Sequence, residues 1–222
     1  RHSTLFPYTT LFRSQEMSTQ EMSTANKILG VVACGGKSSR MGTDKSMLMY
    51  HDLPQRYVAY AMLETVCDQV VLSVNEQQSS TVDTAYSFMI DLPCYGDAGP
   101  MTALLSAFKT FTGKDVFLLG CDYPLIQEQT LQHFISIYSK ENRLAAFYNQ
   151  QADLYEPLLG YYPAATGSIL TEMYNRSEYS LQHFLQKQKA DRFMPENFSE
   201  ITSADDPEIY SSIKEQLGLC GH

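Results

Sequence analysis

The chain is short of positive charge. Its 222 residues include 16 lysines and arginines against 25 aspartates and glutamates, so the formal net charge is −9 and the pI is near 5.0. A nucleic acid or an acidic membrane surface would have to bind against a repelling electrostatic field. We therefore expect neither a nucleic acid nor a membrane as a partner.

Several sequence patterns are also missing. No run of the sequence approaches the ~18 continuous apolar residues that a transmembrane helix requires. The five cysteines include no C-x-x-C pair, and the five histidines are scattered without the spacing of a zinc site. The odd cysteine count and the absence of a pairing motif predict reduced thiols in a cytoplasmic protein.

The first residues show no pattern that a fold could use. Residues 1–14 have neither a helical nor a strand period, and they lack the sustained apolar segment of a signal peptide. Residues 15–24 repeat the pentapeptide QEMST. We expect residues 1–24 to be an artefactual or disordered extension, with Met17 or Met22 as the natural start, and residues 25–222 to form one domain.

From residue 27 onward, short apolar runs alternate with amphipathic stretches. This alternation is typical of βαβ units and predicts an α/β fold with a mostly parallel central sheet. The expected strands cover 28–33, 70–74, a short run ending at 91, 116–120, 144–149 and 154–162. The expected helices cover 55–67, 99–111, 131–138, 181–185 and 206–217.

The segment after the first expected strand is rich in glycine and cations. It reads ACGGKSSRMGTDK from Ala33 to Lys45. Adjacent glycines allow backbone N–H groups to approach a polyanion with no Cβ in the way. Lys37, Arg40 and Lys45 accompany a single acid, Asp44, so the segment is locally positive on an acidic chain. This pattern predicts a loop that binds the phosphates of a nucleotide.

Polar residues follow three of the expected strands. Asn75, Asp91 and Asp122 lie at the carboxyl ends, where open α/β sheets bind their ligands. Magnesium takes few protein carboxylates and completes its shell with phosphate and water, so a carboxylate near a phosphate loop suits Mg²⁺. Asp122 is our candidate metal ligand, although an aspartate shortly before Pro124 is also typical of a turn or a helix N-cap.

The phosphate-loop segment is similar to the signature L-A-G-G-x-S-x-R-M-G-x-D-K of the molybdenum cofactor guanylyltransferase family. Ala33 and Cys34 stand where that signature has Leu and Ala. The resemblance extends from residue 27 to about 210 and implies a three-layer Rossmann-like nucleotidyltransferase fold. Further segments that resemble the family, in the same order, are Gly99-Pro100, Cys121-Asp122-Tyr123-Pro124, Glu156-Pro157-Leu158 and Ser180-Leu181.

The resemblance implies transfer of GMP from GTP to the terminal phosphate of molybdopterin, the molybdenum cofactor, with release of pyrophosphate. Mg²⁺ is the implied cofactor. Proteins that deliver the pterin, or chaperones of molybdoenzymes, are the implied transient partners. The nucleophile is itself a phosphate anion, so positioning and charge neutralisation can carry the catalysis without a Ser-His or Cys-His pair.

The resemblance also implies roles for individual residues. Lys45 would neutralise charge at the α-phosphate, Arg40 would hold the departing pyrophosphate, and Asp122 would anchor Mg²⁺. These three residues form the expected catalytic group. Lys45 and Asp122 are also expected to contact the nucleotide, together with Cys34, Gly35, Gly36, Asn75 and Asp91.

Two departures from the family pattern leave alternatives open. Thr202 replaces an asparagine near the C-terminus, and Ser73 stands where the family can offer an asparagine to the base. The alternatives are a CTP-dependent molybdopterin cytidylyltransferase or a sugar-phosphate nucleotidyltransferase, and a non-catalytic nucleotide-binding cofactor chaperone. Gly35-Gly36 and Asp44-Lys45 favour the guanylyl form, because cytidylyl relatives more often carry A-A-G and N-K there.

Overall fold

A seven-stranded sheet organises the part of the chain that the structure describes. The computed structural model describes residues 27–35, 44–50, 52–96, 98–204 and 207–217. The strands follow the order β3-β2-β1-β4-β6-β5-β7 across the sheet. Their bounds are β1 (Ile28–Ala33), β2 (Gln69–Val74), β3 (Phe88–Ile90), β4 (Asp115–Gly120), β5 (Ala145–Asn149), β6 (Leu154–Tyr162) and β7 (Asp191–Phe193).

The sheet is mostly parallel, as predicted. β1 pairs in parallel with β2 and β4, β2 with β3, and β5 with β7, whereas β6 runs antiparallel to β4 and β5. All residues of β1 and β4 are buried, as expected of continuous apolar runs in the centre of a parallel sheet. Ala33 is level with Gly120, so the two strands end side by side.

Helices cover both faces of the sheet and complete a three-layer α/β arrangement. One apolar cluster joins the first and fourth helices to one face, and a second joins the third, fifth and sixth helices to the other. The helices are α1 (Gln55–Glu64), α2 (Glu76–Ser79), α3 (Pro100–Thr110), α4 (Glu128–Tyr138), α5 (Thr166–Asn175), α6 (Leu181–Lys187) and α7 (Pro207–Gln216). Among the described residues, every helix is too short or too polar to span a lipid bilayer.

Three elements were not predicted from the sequence. α2 and β7 are short. α5 is longer, but few of its buried residues are large: Leu170 and Met173 pack into the core, whereas Gly167 lies so close to α3 that an added Cβ would be 3.0 Å from Phe108 Cγ. Residues 1–24 lie outside the described residues, so the expected domain boundary stays a prediction.

Phe134 attaches α4 to the sheet, and its removal should destabilise the fold. Its buried ring lies 5.4, 4.8 and 5.3 Å from the ring centroids of Phe117, Phe147 and Phe193. We predict that Phe134→Ala lowers the free energy of unfolding by about 3–5 kcal/mol, because it leaves a cavity. Urea denaturation measures this change. Gln132→Ala, an exposed change on the same helix, should stay within about 0.5 kcal/mol of the parent; equal losses would contradict the prediction.

Candidate functional site

The predicted site residues that the structure describes converge at one edge of the sheet. Cys34-Gly35 follows β1, Asn75 follows β2, Asp91 follows β3 and Asp122 lies just after β4. These four strands are mutually parallel, so their carboxyl ends meet at the same edge. The arrangement brings the beginning of the phosphate-loop segment close to the candidate metal ligand.

Cys34 anchors the beginning of this segment. Its N–H donates to Ser73 O at 3.0 Å, its carbonyl accepts from Gln78 Nε2 at 3.0 Å, and its thiol donates to Val32 O at 3.6 Å. Burial raises the pKa of the Cys34 thiol, so this side chain is neutral at physiological pH. The polar groups of Cys34 thus make hydrogen bonds within the protein, and the exposed residue that follows is Gly35.

Asp91 lies directly beside Gly35 of the phosphate-loop segment. Ser73 Oγ donates a hydrogen bond to Asp91 Oδ1, and a Cβ added to Gly35 would lie 3.3 Å from Asp91 Oδ2. Burial raises the pKa of the Asp91 carboxyl, while the hydrogen bond from Ser73 acts in the opposite direction. Ser73 therefore orients a carboxylate that is placed to accept hydrogen bonds from a ligand bound next to Gly35.

Asn75 has a local structural role at the beginning of α2. Its Oδ1 accepts from the Gln78 N–H at 2.9 Å, and Gln78 Oε1 accepts from the Asn75 N–H at 3.1 Å. This reciprocal pair is a capping box. The N-x-x-Q spacing of Asn75 and Gln78 is the sequence signal of this capping box, whereas the prediction for Asn75 was a nucleotide contact alone. The residue does lie at the expected edge of the sheet.

Asp44 fixes the backbone that carries Lys45. Residues Lys45–Met47 form one 3₁₀ turn, and Asp44 Oδ1 caps it by accepting from the N–H and Oγ of Ser46 at 3.0 and 2.8 Å. Asp44 Oδ2 accepts from Gln78 Nε2 at 2.8 Å. Lys45 itself is half-buried. The lysine is therefore attached to an ordered turn, which is connected to α2.

Asp122 is held by a segment that comes much later in the sequence. Its carbonyl accepts from the Ala204 N–H at 2.8 Å, and its Oδ2 accepts from Ser203 Oγ at 3.2 Å. The carboxylate folds back over Gly120, where an added Cβ would lie only 2.3 Å from Asp122 Oδ1. The position and orientation of the carboxylate therefore depend on both the end of β4 and the segment around residue 203.

Two contacts near Asp122 were not predicted from the sequence. Thr202, which stands where the family pattern has an asparagine, is exposed. Its neighbour Ser203 is the residue that donates a hydrogen bond to the Asp122 carboxylate. Glu156 on β6 accepts a hydrogen bond at 2.8 Å from the OH of Tyr123, the residue that follows Asp122 in the sequence. The EPL motif signalled Glu156, but only the fold shows its contact with Tyr123.

The described residues hold oxygen donors for a metal but no complete protein cage. Among them, no group of three His, Cys, Asp or Glu residues could hold a metal ion. Burial raises the pKa of the Cys121 thiol next to Asp122, and Mg²⁺ prefers oxygen ligands to sulfur. A site based on Asp122 would take its other ligands from substrate and water, as Mg²⁺ commonly does. Gly36 and Arg40 lie outside the described residues, and their roles stay predictions.

Sequence relatives carry names from molybdenum cofactor biosynthesis. The chain is 27% identical over 187 residues to a molybdenum cofactor biosynthesis bifunctional protein of Synechocystis sp., an alignment that covers 84% of this chain. The chain spans about half, 53%, of that relative. It is also 27% identical over 162 residues to a probable molybdenum cofactor guanylyltransferase of Flavobacterium johnsoniae, covering 70% of this chain and 79% of that protein.

Solved structures share the fold at low sequence identity. Molybdopterin-guanine dinucleotide biosynthesis protein A from Archaeoglobus fulgidus superposes with a TM-score of 0.65 at 15% identity, covering 86% of this chain and 98% of that one. A Mycobacterium tuberculosis protein crystallised with manganese gives a TM-score of 0.60 at 13% identity, covering 85% and 98%. These likenesses confirm the predicted Rossmann-like nucleotidyltransferase fold.

The family assignment rests on a match over most of the chain. The model of the MobA-like NTP transferase domain matches residues 30–192, which extend from β1 through the phosphate-loop segment and the Asp122 loop to β7. The matched region thus contains nearly all of the sheet and of the candidate site described above. The chain belongs to the family of MobA-like NTP transferase domains, and it is a nucleotidyltransferase.

Proposed function

We propose that this chain transfers GMP from GTP to the terminal phosphate of molybdopterin and releases pyrophosphate. Membership of the MobA-like NTP transferase family and the guanylyltransferase name of the Flavobacterium relative support the proposal. The observation that carries the proposal is the parallel pairing of β1 with β4. This pairing brings the beginning of the phosphate-loop segment next to Asp122. We place the reaction in the cytoplasm, with pterin-delivering or molybdoenzyme-chaperone proteins as transient partners.

The reaction requires charge neutralisation more than proton transfer. Both the attacking phosphate and the α-phosphate of GTP are anions, so their repulsion must be overcome. Lys45, on its capped turn, would neutralise charge at the α-phosphate. Gly35 and Gly36 would donate backbone N–H groups to the triphosphate, and Arg40 would hold the departing pyrophosphate.

A divalent metal fits the surroundings of Asp122, and Mg²⁺ is the ion that we propose. The Asp122 carboxylate and the Ser203 hydroxyl, 3.2 Å apart, are hard oxygen donors of the kind that this ion prefers. When bound, the ion would polarise phosphate oxygens and offset their charge. Asp122 would hold it, and Ser203 would orient the carboxylate.

Recognition of the nucleoside is proposed for the edge where β2 and β3 end. Asp91, oriented by Ser73 beside Gly35, would accept hydrogen bonds from N–H groups of guanine or from ribose hydroxyls. Asn75 would line the same edge while its Oδ1 caps α2. A carboxylate acceptor suits guanine, which presents adjacent N–H donors.

Nucleotide selectivity tests the proposed substrate. We expect the full chain with Mg²⁺ to bind GTP at least about tenfold more tightly than CTP, a difference of about 1.4 kcal/mol. Isothermal titration calorimetry measures both constants. Tighter binding of CTP would replace our proposal by the cytidylyltransferase alternative, and GTP binding without pyrophosphate release in the presence of molybdopterin would favour the non-catalytic chaperone.

Asp122→Asn should remove turnover and preserve the fold. The substitution deletes the charge that attracts the metal but keeps the size of the side chain, so we expect kcat to fall by about 10²–10³-fold or more. Pyrophosphate release from GTP and molybdopterin measures activity, and circular dichroism checks the fold. Asp52→Asn, an exposed change, serves as the charge-matched control. Full Mg²⁺-dependent turnover by Asp122→Asn would reject the assigned role.

Lys45→Met tests the catalytic cation. Methionine keeps much of the length of lysine but has no charge, so we expect kcat/KM for GTP to fall by about 10²-fold or more, with partial recovery in Lys45→Arg. Steady-state pyrophosphate release gives these values. If the methionine variant is as active as the parent, Lys45 does not act at the α-phosphate.

A further inference from the structure

Gln78 on α2 makes hydrogen bonds that the proposed catalytic roles do not use. Its Nε2 donates to Cys34 O at 3.0 Å and to Asp44 Oδ2 at 2.8 Å, while its Oε1 accepts from the Asn75 N–H at 3.1 Å. Cys34 precedes Gly35 in the phosphate-loop segment, and Asp44 precedes Lys45. One side-chain amide therefore connects the two ends of this segment.

Thr81 and Arg56 connect the backbone of Gln78 to α1 by hydrogen bonds. Thr81 Oγ1 donates to Gln78 O at 2.7 Å, and Arg56 Nη1 on α1 donates to the same Thr81 Oγ1 at 3.1 Å. Arg56 also donates to Thr81 O and to Tyr57 OH, and its side chain is fully buried. A buried charged group that is held by several hydrogen bonds is costly to displace. Gln78 is thus attached to the α1 layer of the protein.

We propose that Gln78 is a positioning residue for phosphate binding. It holds Asp44, and with it the turn that carries Lys45, at a fixed place relative to Cys34 and Gly35. Ordering these two groups before the ligand arrives reduces the entropy that binding would otherwise cost. The inference rests on the proposed function only in taking a triphosphate as the ligand of this segment.

The chemistry of the amide suggests a reciprocal exchange of side chains. Gln78→Glu keeps an acceptor for the Asn75 N–H, but it loses both donors and places a second carboxylate against Asp44. In Asp44→Asn alone, the new side-chain amide faces the amide of Gln78. The substitution also removes the negative charge from the group that accepts the hydrogen bond of Gln78. In the double variant, Asn at position 44 can donate to Glu at position 78, so the bond between the side chains is restored in the opposite direction.

The experiment is a double-mutant cycle on the full chain with inorganic triphosphate and Mg²⁺. We expect each single variant to weaken triphosphate binding by about 10- to 100-fold, as loss of a hydrogen bond to a charged group predicts. The double variant should recover to within about tenfold of the parent, because the bond to Cys34 O stays lost. Gln77→Glu, which adds the same charge at an exposed neighbouring position, should leave binding within about twofold.

Thermal unfolding of all variants separates positioning from general stabilisation. Losses that add up in the double variant would overturn the proposal, and so would singles that unfold at lower temperature but bind triphosphate as the parent does. GTP is measured in parallel. If GTP binds no better than other nucleoside triphosphates while the cycle with inorganic triphosphate shows recovery, the guanylyl function fails and the role of Gln78 stands.

Discussion

The parallel register of β1 and β4 is the constraint on which the candidate site depends. Ala33 is level with Gly120, and the Cys121 N–H donates to Ala33 O at 3.4 Å beyond the regular ladder. A slip of one residue would turn the side chains of a strand to the opposite face, and both strands are buried throughout. The packing of these two strands therefore fixes the distance between the beginning of the phosphate-loop segment and Asp122.

The acids around this edge are each held by specific donors. Asp44 is bound by Ser46 and Gln78, and Asp91 is bound by Ser73. On a chain of net charge −9, such bonds determine where negative charge lies relative to an incoming triphosphate. Burial meanwhile keeps the thiols of the site neutral. Under the proposed function, the phosphate-loop segment would bind an anion although the protein as a whole carries a net charge of −9.

The sequence predicted the main elements and the edge of the sheet that carries the site. The bounds of β1 and β6 agree with the prediction; β1 is buried over its whole length and so has a continuous apolar signal, whereas β6 is exposed at Leu154 and continuously buried only over its last four residues. α5 was not predicted, since Gly167, which packs against Phe108 of α3, has no apolar side chain to mark the helix in the sequence. Contacts such as Gln78 to Cys34, or Ser203 rather than Thr202 to Asp122, join distant parts of the chain. No local period encodes them, so only the fold reveals them.

The contact between Asp122 and the segment at Ser203 and Ala204 has a consequence for protein synthesis. During synthesis the N-terminal part of a chain emerges from the ribosome first. β1 to β4 can pair early, but Asp122 gains these two hydrogen bonds only after residue 204 has emerged. A nascent chain in which β1 to β4 have paired would therefore still lack the two hydrogen bonds that orient Asp122, so the proposed metal site would form only after residue 204 has joined the fold.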